Sequence, residues 1–96
     1  MHLYAVVNYK TCGYCRKFKP VLEGVIKSMN VPAQKRVEIV DLETTRGQEL
    51  KKKLKFSGGI PCLVAIKDDE QILFEPGYKD TKTLAKLLLD LWTDHV

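Results

Sequence analysis

Residues 3–15 decide the fold, and their sequence is LYAVVNYKTCGYC. The run 3–7 is apolar and rich in valine and tyrosine, which predicts a short buried strand that ends at the polar Asn8. Cys12 follows four residues after Asn8, and Cys15 lies three residues further on. The segment therefore predicts a strand that leads directly into a closely spaced pair of cysteines.

Beyond the first cysteine, apolar residues recur at intervals of three and four, which predicts a helix from about Gly13 to Met29 with one buried face. That face consists of Cys15, Phe18, Val21, Leu22, Val25, Ile26 and Met29. Pro20 lies inside this range, and the pattern continues in phase on both sides of it. We therefore expect a kink near Pro20 and no break in the helix.

The rest of the chain predicts a strand, a surface helix, a hairpin of two strands and a final helix. The strand covers residues 36–42, and the surface helix, capped by Thr44 or Thr45, runs to about Phe56. The hairpin strands cover residues 61–66 and 71–74, and the final helix, capped by Asp80 or Thr81, runs to about Trp92. The segment around Asn30, Pro32 and Gln34 is predicted to be a polar link. The order βαβ-α-ββ-α predicts an α/β fold with a central four-stranded mixed β-sheet flanked by three helices.

Length and charge limit the classes of protein to which the chain can belong. With 96 residues, 45% of them hydrophobic, we expect a single domain over residues 1–96. The formal net charge of +4 includes the basic run 51–55, which is interpreted as a solvated helix face, so we expect no nucleic-acid partner. No apolar stretch has the length of a membrane span, and we expect a cytoplasmic monomer with no membrane association.

Three cysteines do not suit a secreted scaffold held together by disulfides, because an odd count leaves one thiol unpaired. The close pair, Cys12 and Cys15, is instead typical of a catalytic or metal-binding site. A zinc site needs four ligands, and Cys62, His2 and His95 show no ligand spacing, so we expect no metal.

The position of the pair suggests how the two thiols differ. Cys12 precedes a helix, where unpaired backbone N–H groups and the helix dipole favour an anion, and a thiolate is the nucleophile that attacks a disulfide. Cys15 lies on the apolar face and should point inward. We therefore expect Cys12 to be the attacking thiol and Cys15 to be the resolving thiol.

Taken together, three features resemble the thioredoxin and glutaredoxin superfamily, and in particular a small glutaredoxin-like thioredoxin with a Cys-Gly-Tyr-Cys active site. They are the cysteine pair between a strand and a helix, Pro20 eight residues after Cys12, and Gly59-Ile60-Pro61 before the third strand. The resemblance implies a thioredoxin fold and a thiol-disulfide oxidoreductase. It also implies a cis Ile60–Pro61 bond, with the Ile60 backbone pairing with a substrate strand.

The resemblance further implies partners and site residues. The electron carrier would reduce disulfide-containing proteins or glutathione mixed disulfides, with glutathione or a flavin-containing thioredoxin reductase as electron donor and no tightly bound cofactor. The positions that could contact substrate or glutathione are Lys10, Tyr14, Ile60, Pro61 and Asp80. The sequence departs from the thioredoxin pattern because Thr11 replaces the usual tryptophan and the first strand carries no carboxylate.

Two other functions stay open from the sequence: a glutathione-dependent glutaredoxin that binds a [2Fe-2S] cluster, and a thioredoxin-like domain without catalytic activity. Cys62 also has two interpretations. It is either a regulatory thiol that traps Cys12 or becomes glutathionylated, or a small buried hydrophobic residue, which is the commoner case in an apolar strand.

Overall fold

A four-stranded mixed sheet forms the centre of the protein in a computed structural model that describes residues 1–54 and 59–95. The strands are β1 (His2–Val7), β2 (Val37–Asp41), β3 (Cys62–Lys67) and β4 (Glu70–Pro76). Their order across the sheet is β2-β1-β3-β4, in which β1 and β2 are parallel and the other neighbouring pairs are antiparallel. The predicted four-stranded mixed sheet is confirmed.

Three long helices and one short helix complete the described part of the chain. They are α1 (Gly13–Ser28), α2 (Val31–Gln34), α3 (Thr45–Lys53) and α4 (Thr81–His95). The three predicted helices are present, with Pro20 inside α1. None of the described helices has both the length and the apolar composition required to cross a membrane.

The short helix α2 corrects the expectation of three helices and a polar link. Asn30 accepts a hydrogen bond at Oδ1 from the backbone N–H of Ala33 over 3.1 Å, which is a helix cap. The Gln34 amide donates to the carbonyl oxygens of Met29 and Lys27 over 2.7 and 3.2 Å. The polar residues of the link therefore stabilise one helical turn, because they satisfy backbone groups at the end of α1 and the start of α2.

Two helix ends also differ from prediction. Helix α3 ends at Lys53, because Leu54 has extended backbone angles and its N–H closes the last turn by donating to Leu50 O over 2.8 Å. The expectation that this helix reaches Phe56 was wrong, and Phe56 itself lies outside the described residues. Helix α4 continues past the predicted end at Trp92 and finishes at His95.

Buried side chains lie on both faces of the sheet, as the alternation of β1 requires. On the face covered by α1 and α4, the core includes Leu3, Ala5, Phe18, Leu22, Leu63, Leu84 and Leu88. On the face covered by α3, it includes Val6, Val40, Leu50, Leu54, Cys62 and Val64. Both faces of β1 are thus buried, which explains why this strand is almost continuously apolar.

The sheet brings two loops that are distant in sequence together at one end of its central strands. Strand β1 pairs with β3 so that Val6 lies opposite Cys62. The loop that follows β1 and the loop that precedes β3 consequently end side by side. The first of these loops carries Cys12, and the second carries Ile60 and Pro61.

Candidate active site

Cys12 occupies the N-cap position of α1. Its backbone is extended, with φ −114° and ψ 109°, and its Sγ accepts a hydrogen bond from the N–H of Cys15 over 3.1 Å. A sulfur atom that caps a helix in this way faces unpaired N–H groups and the positive end of the helix dipole. The half-buried Cys12 side chain is therefore placed where a negative charge is stabilised.

Cys15 is completely buried in the first turn of the same helix. Burial raises the pKa of its thiol to about 12, and a hydrogen bond to Cys12 and the charges of Cys12 and Cys62 act in the same direction. The backbone N–H of Asn8, which lies 3.5 Å from the Cys15 Sγ, acts in the opposite direction. Cys15 is therefore a shielded, protonated thiol at neutral pH, as its place on the apolar helix face predicts.

The peptide bond between Ile60 and Pro61 is cis, which confirms the expectation drawn from the resemblance. The Cys12 thiol donates to the carbonyl oxygen of Ile60 over 3.6 Å. Pro61 is buried, whereas Ile60 is half-buried beside the cysteine. The two residues consequently form the wall of the site opposite the start of α1.

Cys62 is fully buried on the α3 face of the sheet, next to Val6 and Val64. Burial raises the pKa of its thiol to about 11, so it is a neutral thiol at physiological pH. This environment agrees with the interpretation as a small hydrophobic residue. The role of a regulatory thiol stays a prediction.

Aromatic side chains border the site on its exposed side. Tyr14 is 64% exposed and Tyr78 is 43% exposed, and their ring centroids lie 6.4 Å apart. Tyr78 also contacts the buried Phe18 edge-on over 5.8 Å, which anchors it to α1. Lys17 lies over the Tyr14 ring at 5.5 Å from its centroid. These residues form a partly apolar surface next to the start of α1, on which a substrate chain can lie.

The remaining predicted contact residues are engaged in the local structure. The exposed Lys10 lies in the loop before Cys12, and its N–H donates to Asn8 Oδ1 over 3.1 Å. Asp80 caps α4, since its Oδ1 accepts from the N–H of Thr83 over 2.8 Å. That hydrogen bond lowers the pKa of Asp80. Both residues thus have structural functions whether or not they contact substrate.

The hydrogen-bonding roles of two residues at the site were not predicted from the sequence. Arg16 donates from Nη1 to the carbonyl oxygens of Tyr9 and Lys10 over 2.7 and 3.2 Å, and so ties α1 to the loop before it. Asn8 accepts two hydrogen bonds within the same loop and donates one to Glu43 in the loop after β2. For Asn8 a signal was available, because an asparagine directly after a strand commonly forms a turn with the N–H groups two and three residues on.

Few side chains at the site can act as an acid or a base. No polar or charged side chain is buried among residues 1–54 and 59–94. Val6, the last residue but one of β1, is fully buried and apolar. Over the same residues, no group of three or more His, Cys, Asp and Glu side chains is arranged to hold a metal ion.

The sequence profile of the thioredoxin family matches residues 4–90. A comparison with curated protein sequences found no match. Among solved structures, a mutant thioredoxin from Halobacterium salinarum is 23% identical with a TM-score of 0.67, over 92% of this chain and 71% of the other. A chloroplastic thioredoxin z is 20% identical with a TM-score of 0.66, over 95% of this chain and 77% of the other. Thioredoxin 1 from Thermosipho africanus is 13% identical with a TM-score of 0.62, over 98% and 96%. These likenesses establish the fold.

Proposed function

The chain belongs to the thioredoxin family, and from this premise we propose that it is a dithiol electron carrier that reduces disulfides in other proteins. The observation that carries the proposal is the contrast between its two cysteines. Cys12 is half-buried at a helix N-terminus and accepts a backbone N–H, whereas Cys15 is buried and protonated. Thiol-disulfide exchange needs one accessible attacking thiolate and one shielded thiol close behind it.

In the first step, the Cys12 thiolate attacks one sulfur of the substrate disulfide. The substrate S–S bond breaks, a mixed disulfide forms between Cys12 and the substrate, and the other substrate sulfur leaves as a thiolate that takes a proton from water. In the second step, Cys15 loses its proton and attacks the Cys12 sulfur. The substrate leaves as its second thiol, and the two electrons come from the two cysteines, which end as a disulfide.

The causes of the high Cys15 pKa explain why the second step follows the first. In the reduced protein, a hydrogen bond to Cys12 and the charge on Cys12 both raise the pKa of Cys15. Once Cys12 is bonded to the substrate, its sulfur carries no charge, so the effect of that charge disappears and the hydrogen bond weakens, while burial continues to raise the pKa of Cys15. Cys15 therefore ionises more readily when a mixed disulfide is waiting to be resolved.

Substrate binding would use the backbone of Ile60 and the exposed tyrosines. The Ile60 carbonyl lies 3.6 Å from the Cys12 sulfur, so an extended substrate segment that pairs with Ile60 would bring its own sulfur close to Cys12. Tyr14 and Tyr78 offer apolar area beside this line. We propose disulfide-containing proteins as the substrates and a cytoplasmic, reducing setting in which the carrier is regenerated.

The proposal has two forms, which differ in the electron donor that regenerates the reduced protein: thioredoxin reductase or glutathione. Reduction of insulin disulfides is measured through NADPH consumption with thioredoxin reductase, and reduction of a small mixed disulfide with glutathione and glutathione reductase. We expect activity with insulin that is abolished in Cys12→Ser and strongly reduced in Cys15→Ser, with Cys62→Ala as the matched control that retains it. Turnover with glutathione that survives Cys15→Ser would show a glutaredoxin-type enzyme. Inactivity in both assays, together with no reduction of insulin by dithiothreitol-reduced protein, would contradict the proposal.

A further inference from the structure

Asn8 contacts both active-site cysteines through its own backbone. Its N–H donates to the Cys15 Sγ over 3.5 Å, and its carbonyl oxygen accepts from the N–H of Cys12 over 2.9 Å. Asn8 is the first residue after β1, so it links the rigid sheet to the loop that carries Cys12. Any rotation of the Asn8 peptide groups therefore changes the surroundings of both thiols.

The side chain of Asn8 contributes to this arrangement, together with the Val7 carbonyl of the same peptide group, which accepts from the N–H of Leu42 over 2.9 Å. The Asn8 Oδ1 accepts from the N–H groups of Lys10 and Thr11 over 3.1 and 3.2 Å, which closes a tight turn. Its Nδ2 donates to Oε1 of Glu43 over 3.1 Å, and the N–H of Glu43 in turn donates to Oδ1 of Asp41 over 2.9 Å. The loop before α1 is thus fastened to the loop that follows β2.

The Asn8 N–H has a particular effect on the thiol that it contacts. Burial and the neighbouring thiols of Cys12 and Cys62 raise the pKa of Cys15, whereas the hydrogen bond from Asn8 lowers it. Tyr9 is the other titratable group that interacts with Cys15, and its own pKa is raised mainly by burial. Because no charged side chain is buried in residues 1–54 or 59–94, a Cys15 thiolate depends on backbone donors such as this one.

We propose that Asn8 is a positioning residue for the resolving step: its side chain holds the Asn8 N–H against the Cys15 sulfur, where it stabilises the attacking thiolate. In that step Cys15 gives its proton to solvent and bonds to the Cys12 sulfur, and the substrate leaves as a thiolate that is then protonated. This role rests on the proposed dithiol exchange. It goes beyond that function because it names a residue that assists the second step without itself reacting.

The test is a stopped-flow reaction of the reduced protein with less than one equivalent of dithiobis(nitrobenzoate), an aromatic disulfide that releases a coloured thiolate. The first phase of release reports the attack by Cys12, and the second reports the attack by Cys15. Cys15→Ser identifies the second phase, because this variant should lack it. Rates are measured across a range of pH for the wild type, for Asn8→Ala and for Asn30→Ala.

Asn30→Ala is the matched control, since Asn30 also accepts a backbone N–H at its Oδ1 but lies at the far end of α1. We expect Asn8→Ala to slow the second phase at neutral pH by about 3- to 10-fold, the effect of losing about one hydrogen bond. The deficit should shrink as the pH rises, because a thiolate that is harder to form is still formed at high pH. The first phase should change less than the second, and Asn30→Ala should match the wild type in both.

Asn8→Ser is a second variant that tests the role of Asn8 if Asn8→Ala folds poorly. A serine hydroxyl can close the same turn but cannot reach Glu43. Its second phase should be intermediate between those of the wild type and Asn8→Ala. The role of Asn8 is overturned if the second phase is unchanged in both variants, or if it is slowed equally at every pH. A wild type that lacks the second phase would instead overturn the proposed dithiol function itself.

Discussion

The backbone N–H of Cys15 donates to the sulfur of Cys12 over 3.1 Å, while the Cys15 side chain is completely buried beneath it. One residue therefore contributes both a donor that favours negative charge on the attacking sulfur and the thiol that later displaces the substrate. Helix geometry makes this possible, since a residue three positions into a helix directs its N–H to the capping position.

Different exposure of the three thiols predicts selective alkylation. When the reduced native protein is treated with iodoacetamide at neutral pH, Cys12 should be modified first, because Cys15 and Cys62 are fully buried. Peptide mass spectrometry after a short reaction measures the extent at each site. In denaturant all three thiols should react at similar rates. Equal labelling of Cys12 and Cys15 in the native protein would show that the burial of Cys15 does not protect it.

The buried thiols also predict how stability depends on pH. In the folded protein the pKa values of Cys62 and Cys15 are raised from 9.0 to about 11 and about 12, so their contribution to stability is complete below pH 9. It is lost as the pH rises from 9 through these values, because the unfolded chain ionises first. The free energy of unfolding of the reduced protein should therefore fall in this range.

Cys62→Ala separates this effect from the titration of other groups. Above pH 9 its free energy of unfolding, measured with urea, should fall less steeply than that of the wild type by up to about 1.4 kcal/mol per pH unit. Parallel curves for the two proteins would mean that Cys62 titrates normally in the folded state.

Gly47 is predicted to be essential for the packing of α3 against β2. A Cβ atom at this position would lie 2.0 Å from the carbonyl oxygen of Asp41 and 2.9 Å from the Cα of Leu42, both backbone atoms. Gly47→Ala should lower the free energy of unfolding by about 1–3 kcal/mol, the usual effect of overpacking. Gly24→Ala is the control, because a Cβ there would meet no atom within 4 Å beyond its chain neighbours and the backbone of its own helix. It should raise stability by about 0.5–1 kcal/mol, since alanine suits a helix interior better. Equal effects in urea denaturation would contradict this account of Gly47.

Asp80 is predicted to act as a helix cap, whether or not it also contacts glutathione. Asp80→Ala should lower the melting temperature, because the Thr83 N–H loses its acceptor, and the KM for a glutathione mixed disulfide measures the contact with glutathione separately. The pKa of Asp80 is lowered from 3.8, so its contribution is present above that pH and is lost as the pH falls through the lowered value. Asp80→Asn keeps a capping oxygen and should lack this acid dependence. A raised KM with unchanged stability would instead assign Asp80 to glutathione binding.

The sequence predicted the structure correctly where one pattern of residues was enough to determine it. Continuous apolar residues in β1 and the helical spacing after Cys12 were sufficient to place both cysteines and to predict that Cys15 points inward. The short helix α2 was not predictable in this way, because it depends on the Gln34 side chain reaching back to the end of α1. The role of Arg16 was not predicted for a related reason, since it comes from hydrogen bonds to backbone carbonyls six and seven residues away that only the folded loop brings within reach.

The central claim is that Cys12 attacks the substrate and Cys15 resolves the product, and trapping of the intermediate tests it most directly. Reduced Cys15→Ser is mixed with insulin, quenched with acid, and analysed by mass spectrometry of non-reduced peptides. The account predicts a stable mixed disulfide between Cys12 and an insulin cysteine, which is absent from the wild type and from Cys12→Ser. A mixed disulfide at Cys62, or none in Cys15→Ser, would contradict it.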